Sequence, residues 1–287
     1  MKPCSLIISA MLISPFALAE PSNQQRTLQL GLGIPESERP WQSKFGIGSG
    51  VFPEYEGSDA YKAVSTPIID IHKPGVFFIK GGSINHNNGL VGTGLTLLHL
   101  KYSTPTQNDI QLSVGPLIRA YEGRDQNDSE ALEGLSDIDR SISLGGFIEL
   151  YSGNWKANLS ASPQEVAHQQ DGVLATLDIE YTLSVNQTLS LTTLFSTSWA
   201  DDDYMQRYFG VTRGQTQRSK FDFYETNAGF KDAGIQLRAT YDVSSHWSIE
   251  AQAGYWRLLH DAADSPLVDD AGTANQVKGL LGLSYRF

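Results

Sequence analysis

Six histidines hold most of the nucleophilic and metal-binding potential of this chain: His72, His86, His99, His168, His246 and His260. A hydrolase would need one of them beside a serine and a carboxylate, so that the imidazole could take the hydroxyl proton. His86 and His260 are the best placed, with Ser83, or Asp261 and Asp264, near them in sequence. No G-x-S-x-G elbow stands in a strand-to-helix context, and solvated histidines are the expected reading of both. Asp125-Gln126-Asn127-Asp128-Ser129-Glu130 looks like a calcium loop, but it lacks Gly at its sixth position and a bidentate Glu at its twelfth. A solvated acidic loop is expected there. These residues assign no catalytic side chain, cofactor or metal.

The elements that would carry such residues begin with an export signal. Lys2, the apolar run Leu6 to Leu12 and the small-residue pattern Ala17-Leu18-Ala19 predict a signal peptide over residues 1–19, cut before Glu20. Cys4, the sole cysteine, leaves with it, so disulfides, a cysteine nucleophile and zinc-thiolate sites are excluded from the exported chain. With 40% hydrophobic and 18% charged residues in 287, the composition excludes collagen-like and wholly disordered classes. Mean hydropathy is −0.26, and past the signal no run of about 18 apolar residues could form a membrane helix. A net charge of −11 with no Lys/Arg run disfavours a nucleic-acid partner.

From about residue 42 the apolar residues recur at every second position, the period of a strand with two unlike faces. In 247–257, Trp247, Ile249, Ala251, Ala253 and Tyr255 oppose Ser248, Glu250 and Gln252; 277–287 and 173–183 repeat the pattern. About twelve such segments start near residues 43, 60, 76, 90, 109, 138, 155, 173, 188, 221, 247 and 275, those at 76–84 and 90–102 being apolar on both faces and unassigned in orientation. Links after even-numbered segments are short, whereas most links after odd-numbered ones are long and acidic, as at 122–137 and 200–220. This predicts an all-β fold: one antiparallel transmembrane barrel over residues 42–287 with short periplasmic turns and longer extracellular loops. Strands in hydrocarbon must close on themselves, and an even number returns both ends to one side. Residues 20–41 read as a periplasmic leader in which Thr27 to Ile34 could add a short strand. Tyr102, Tyr151, Trp155, Tyr181, Tyr241, Trp247 and Tyr285 are expected in an interfacial belt near the short turns.

Lys62, Asp70, Arg119, Glu149, Lys156, Asp178, Glu180, Arg238, Asp242, Glu250, Lys278 and Arg286 are expected to face the lumen. Both signs occur, so mutual pairing into a polar plug is the first expectation and a narrow pore for small solutes the second. Pro53 ends a strand and Gly57-Ser58 permits a reversal, which makes Phe52 to Ser58 a turn returning the chain to the membrane. Tyr204, Tyr208 and Phe209 on an acidic loop need cover, and a lid over the barrel mouth, returned sharply at Gly210, is the favoured arrangement.

The chain resembles the MipA/OmpV family of MltA-interacting outer-membrane proteins over roughly residues 41–287. The resemblance is carried by Phe52-Pro53-Glu54-Tyr55-Glu56-Gly57-Ser58, by Tyr204 through Tyr208-Phe209-Gly210-Val211-Thr212, and by the closing Gly282-Leu283-Ser284-Tyr285-Arg286-Phe287. It implies a non-enzymatic scaffold that brings a lytic transglycosylase and a murein synthase together, docked by the leader and the short turns. Tyr285 and Phe287 resemble the terminal pattern read by barrel-insertion machinery. Outer-membrane lipid and lipopolysaccharide are the expected surroundings. A channel for small solutes or antibiotics, and a surface adhesin, remain as alternatives.

Overall fold

The computed structural model describes residues 27–35, 40–84, 89–103, 109–166 and 169–287. The expected signal peptide, much of the leader, His86 and His168 lie outside the described residues. Fourteen strand segments follow in chain order: β1 Thr27–Leu32, β2 Gln42–Pro53, β3 Tyr61–Lys73, β4 Phe77–Gly81, β5 Gly89–Leu95, β6 Leu98–Ser103 and β7 Ile110–Tyr121. Then come β8 Ser141–Ser152, β9 Trp155–Val166, β10 Gln169–Ser184, β11 Leu189–Ala200, β12 Gly229–Asp242, β13 Trp247–Leu258 and β14 Asn275–Arg286. All belong to one antiparallel sheet, and the β7–β8 and β14–β2 pairings close it into a barrel.

The fourteen segments make twelve staves. β5 and β6 both pair with β7, through Gly94↔Leu117 and Leu98↔Val114, so they are halves of one stave interrupted at Thr96 and Leu97. β1 pairs with β6 where β4 pairs with β5, so β1 and β4 share the next stave. Thr27–Leu32, within the expected leader, is thus part of the wall. Three starts differ from the periodicity, the segment expected near 173 beginning already at Gln169, before a register shift between Gln170 and Val173. The eighth segment begins at Ser141 rather than near 138, because Ile138 pairs with Arg124 above the wall. The stave expected near 221 begins at Gly229, since Phe221 and Tyr224 fold into the loop, where Tyr224 bridges Val211.

Burial along the wall is inverted relative to a water-soluble protein. On β8, Ile142 and Leu144 are 72% and 67% exposed, while Ser143, Phe147 and Glu149 on the opposite face are buried. β13 alternates likewise, with Trp247, Ile249 and Tyr255 outward and Ser248, Glu250 and Gln252 inward. Exposed apolar surface on every stave would be unstable in water and is what hydrocarbon requires. No helix among the described residues is long and apolar enough to span a membrane.

Aromatic pairs line the short-turn rim on the lipid side. Trp155 lies 4.7 Å from Tyr181, Trp247 5.1 Å from Tyr285, and Tyr285 4.9 Å from Phe287 between ring centroids. Tyr151 departs from the expected belt. It pairs with Lys156, shares the inward face of β8 with Phe147 and Glu149, and lies under the Lys156 ammonium. At the seam the Phe287 N–H donates to the Ser43 carbonyl, and Arg286 pairs with Lys44 in register.

Pairing also orients the two segments that are apolar on both faces. Asp70, Lys80, Gly92 and Arg119 lie on one rung across β3, β4, β5 and β7. Asp70 and Arg119 line the lumen, and Lys80 joins them there because paired residues share a face.

Candidate functional site

Two features fill the barrel: an apolar lid at the long-loop end and a charged cavity below it. The lid includes α1 Asp202–Phe209, α2 His260–Ala263 and α3 Pro266–Asp269. α1 starts where the Asp201 carboxylate accepts the Tyr204 N–H at 3.0 Å, and Asp202 and Asp203 sit favourably in its first turn. Tyr204, Met205, Tyr208 and Phe209 are all buried, and Tyr204 stacks on Tyr208 one turn on, at 4.4 Å. They pack into one core with Phe221 of the same loop and with residues of other long loops, among them Leu132, Leu135, Leu267 and Val268. The lid is therefore an ordinary apolar-inside core set on an inside-out wall.

Polar contacts stitch the loops together. The Arg124 guanidinium donates to the Tyr208 carbonyl at 2.8 Å, and the Ser265 hydroxyl donates to the Phe209 carbonyl at 2.5 Å. The Tyr224 hydroxyl donates to the Asp261 carbonyl at 3.0 Å. Burial pushes the Tyr204 phenol well above its ordinary range, so it is neutral at physiological pH.

The first loop does more than reverse the chain. Pro53 ends β2 and is buried. The Tyr55 hydroxyl sits between the Leu267 and Ala271 carbonyls, at 2.9 and 3.0 Å. Gly57 has φ +105°, donates to the Gln276 side chain and accepts from the Thr273 N–H. Ser58 is buried, its hydroxyl accepts the Ala60 N–H, and its carbonyl accepts from Gln276. The turn is thus clasped to the last long loop across the closing seam. Gly210 differs from the expected sharp return. Its φ is −77° with extended ψ, and a Cβ there would lie 2.0 Å from the Gln206 side chain, so close approach rather than a left-handed turn is what suits glycine.

Beneath the lid, Gly82 at φ +78° turns the chain off β4 into the lumen, and Ile84 packs there with Ile68, Trp256 and Leu280. Nearby, Lys231 is fully buried between Glu56 and Asp232. The cavity below has a volume of about 440 Å³ and reaches the Lys73–Val76 turn at the short-turn end. Asp70, Arg119, Glu149, Lys156, Asp178, Glu180, Arg238 and Glu250, all expected to face inward, line it. Lys156 bridges Glu149 at 3.1 Å and Glu180 at 3.5 Å, and Lys44 pairs with Glu250. Lys62 instead pairs with Asp128 near the mouth, Asp242 and Arg286 pair at the short-turn rim, and Lys278 lies over the Trp256 ring. Lys44, Lys80 and Lys231 were not foreseen. Lys80 was hidden by the two-faced apolarity of its segment, and the inward parity of Lys44 on β2 was its only signal.

The histidines are dispersed. The His72 ring meets Asp70 at 2.6 Å, His246 stacks on Tyr285, and His260 is exposed while the Asp261 carboxylate accepts from Asn227. Ser83 donates to Gln252. In the acidic loop, Asp125 caps Asn127, and those hydrogen bonds hold its carboxyl below the usual range.

The model of the family described as MltA-interacting protein MipA matches residues 45–287. YiaT of Escherichia coli (strain K12), named as an outer-membrane protein, is 23% identical over 192 residues, covering 67% of this chain and 75% of its own. The MltA-interacting protein of the same strain is 31% identical over 104 residues, 36% of this chain and 40% of its own. Among solved structures, Pseudomonas putida OprB aligns with a TM-score of 0.41 at 8% identity, over 86% of this chain and 94% of that one. The outer-membrane channel COG4313 of Pseudomonas putida F1 aligns with a TM-score of 0.40 at 9% identity, over 88% and 100%. A closed wall greasy on its outside, in a chain whose relatives are named for the outer membrane, is an outer-membrane barrel, with its short turns toward the periplasm. By a match that spans most of its length, the chain belongs to the family of the MltA-interacting protein MipA.

Proposed function

We propose that this protein is a non-enzymatic scaffold of the outer membrane that holds a murein lytic transglycosylase, and with it a murein synthase, at its periplasmic face. The observation that carries the reading is the lid. Its apolar core occupies the long-loop end, while at the other end the turns at Gly153-Asn154, Asn186-Gln187 and Ser244-Ser245 are short, polar and exposed. A sealed mouth disfavours steady diffusion of solutes and leaves the periplasmic end as the accessible working surface. The family relationship supplies the class of partner, since one relative is named for its interaction with MltA.

The docking surface we infer is the set of short turns, including Gly153-Asn154 and Asn186-Gln187. The leader is a less separable candidate, because Thr27–Leu32 builds the wall and deleting residues 20–40 would disturb both. A photo-crosslinker at Asn154 or Gln187 in intact cells is expected to capture a murein lytic transglycosylase. Capture from the extracellular position Arg213 but not from the turns would sink the scaffold reading.

A further inference from the structure

Each carboxylate of the lumen cavity is engaged by the protein itself. Glu250 takes Lys44, Glu149 and Glu180 take Lys156, Asp70 takes His72, and Asp178 accepts the Ser196 hydroxyl at 2.6 Å. Of the other lining cations, Lys73 lies over the Trp41 ring, and Lys80, Arg119 and Arg238 form no ion pair among the described residues. Among the described residues Lys80 makes no hydrogen bond or ion pair and stands solvated inside the wall. Among the described residues Arg119 donates to the Ser160 hydroxyl at 3.3 Å and lies over the face of Tyr121. Arg238 extends across the lumen to Ser83 at 3.5 Å, and among the described residues its buried Nε has no hydrogen-bond partner.

Their placement is set by register. Lys80 and Arg119 flank Gly92 on one rung, so no side chain separates them, and two strand spacings put their Cα atoms no more than about 10 Å apart. Arg238 comes to the same stave from the opposite wall, because Ser83 lies just beyond β4. Lys80, Arg119 and Arg238 thus line one cavity of about 440 Å³, a volume in the range of small-ligand sites. Cations that line one cavity without ion pairs of their own can be met by a bound anion, which supplies charge-assisted hydrogen bonds there.

We propose that the lumen is a periplasm-facing binding site for a small polyhydroxy monocarboxylate, whose carboxylate is held by Lys80, Arg119 and Arg238. One negative charge suits the site better than two, because Asp70, Asp178 and Glu180 line the same cavity and repel a dianion. Ser83, Gln111, Asn158 and Gln252 add neutral donors and acceptors suited to hydroxyl groups. The site stands whether or not murein enzymes dock on the turns.

The test is calorimetric titration of the full-length barrel in detergent with glucuronate, with glucose as the neutral control and inorganic phosphate as the dianionic one. Glucuronate is expected to bind and glucose not, and Lys80→Gln and Arg238→Gln should each weaken glucuronate about tenfold. Lys62→Gln, at the mouth, should leave it unchanged. Heat-modifiable migration on gels reports whether each variant is folded. Independently of any variant, glucuronate affinity for the unmodified protein should fall as chloride rises. Equal binding of glucose, preference for phosphate, undiminished binding by the folded glutamine variants, or affinity indifferent to chloride would each overturn the proposal.

Discussion

Gly57 and Tyr55 show how single residues hold the lid. The φ of +105° at Gly57 suits glycine, and a Cβ there would come within 2.5 Å of a Val268 methyl. Gly57→Ala is expected to cost the lid about 1–3 kcal/mol through backbone strain and the contact together, exposing the long loops to protease on whole cells. Unchanged cleavage would show that the clasp does not hold the lid. The Tyr55 phenol is pushed up to about 12 by burial and then by the charge of Asp59. Its folded-state pKa is raised above the unfolded value near 10, so its contribution is whole below about pH 10 and lost as pH rises through about 12. Loop protection should therefore decline over that alkaline window. Tyr55→Phe should flatten the decline while costing about 1 kcal/mol for the two lost hydrogen bonds, read as faster cleavage at neutral pH.

At the scale of elements, the wall separates lipid-facing from lumen-facing positions residue by residue. Ile148 on β8 faces lipid and its neighbour Glu149 is buried in the lumen. Ile148→Arg is expected to destabilise the barrel by about 2–4 kcal/mol, seen as a lower temperature for the heat-modifiable shift on gels. β1 carries a different prediction. It supplies the backbone partners of β6 from Thr27↔Ser103 to Leu32↔Leu98, and removing residues 27–32 leaves that edge of β6 unpaired. The barrel should still close through β14–β2, with a lowered shift temperature. An unaltered temperature would mean that β1 adds nothing to the wall.

For the whole molecule the lid is decisive, because a barrel of this size has an interior wide enough for a cavity. Purified protein in a planar bilayer is expected to show no steady conductance. Removing residues 202–209 should open the mouth and give one. Conductance from the intact protein would favour the channel reading over the scaffold. The scaffold and the proposed acid site use the same free end, since the cavity reaches the Lys73–Val76 turn among the short loops.

Alternation was enough to identify the barrel and the side of the wall on which Glu149, Lys156, Arg238 and Glu250 fall, because a strand in lipid must sort its residues by parity. The starts at Trp155, Trp247 and Asn275 were legible for the same reason. Parity was silent where both faces are apolar, so Lys80 emerged only when its rung joined Asp70, Gly92 and Arg119. Phe221 looked like the start of a strand because a lid core needs apolar residues as much as a membrane face does. Tertiary structure alone decided that Tyr55 and Gly57 clasp the last loop, and that Thr27–Leu32 joins the wall beside β6. Those contacts join residues far apart along the chain, and local sequence pattern carries no trace of which distant backbone will come to lie beside it.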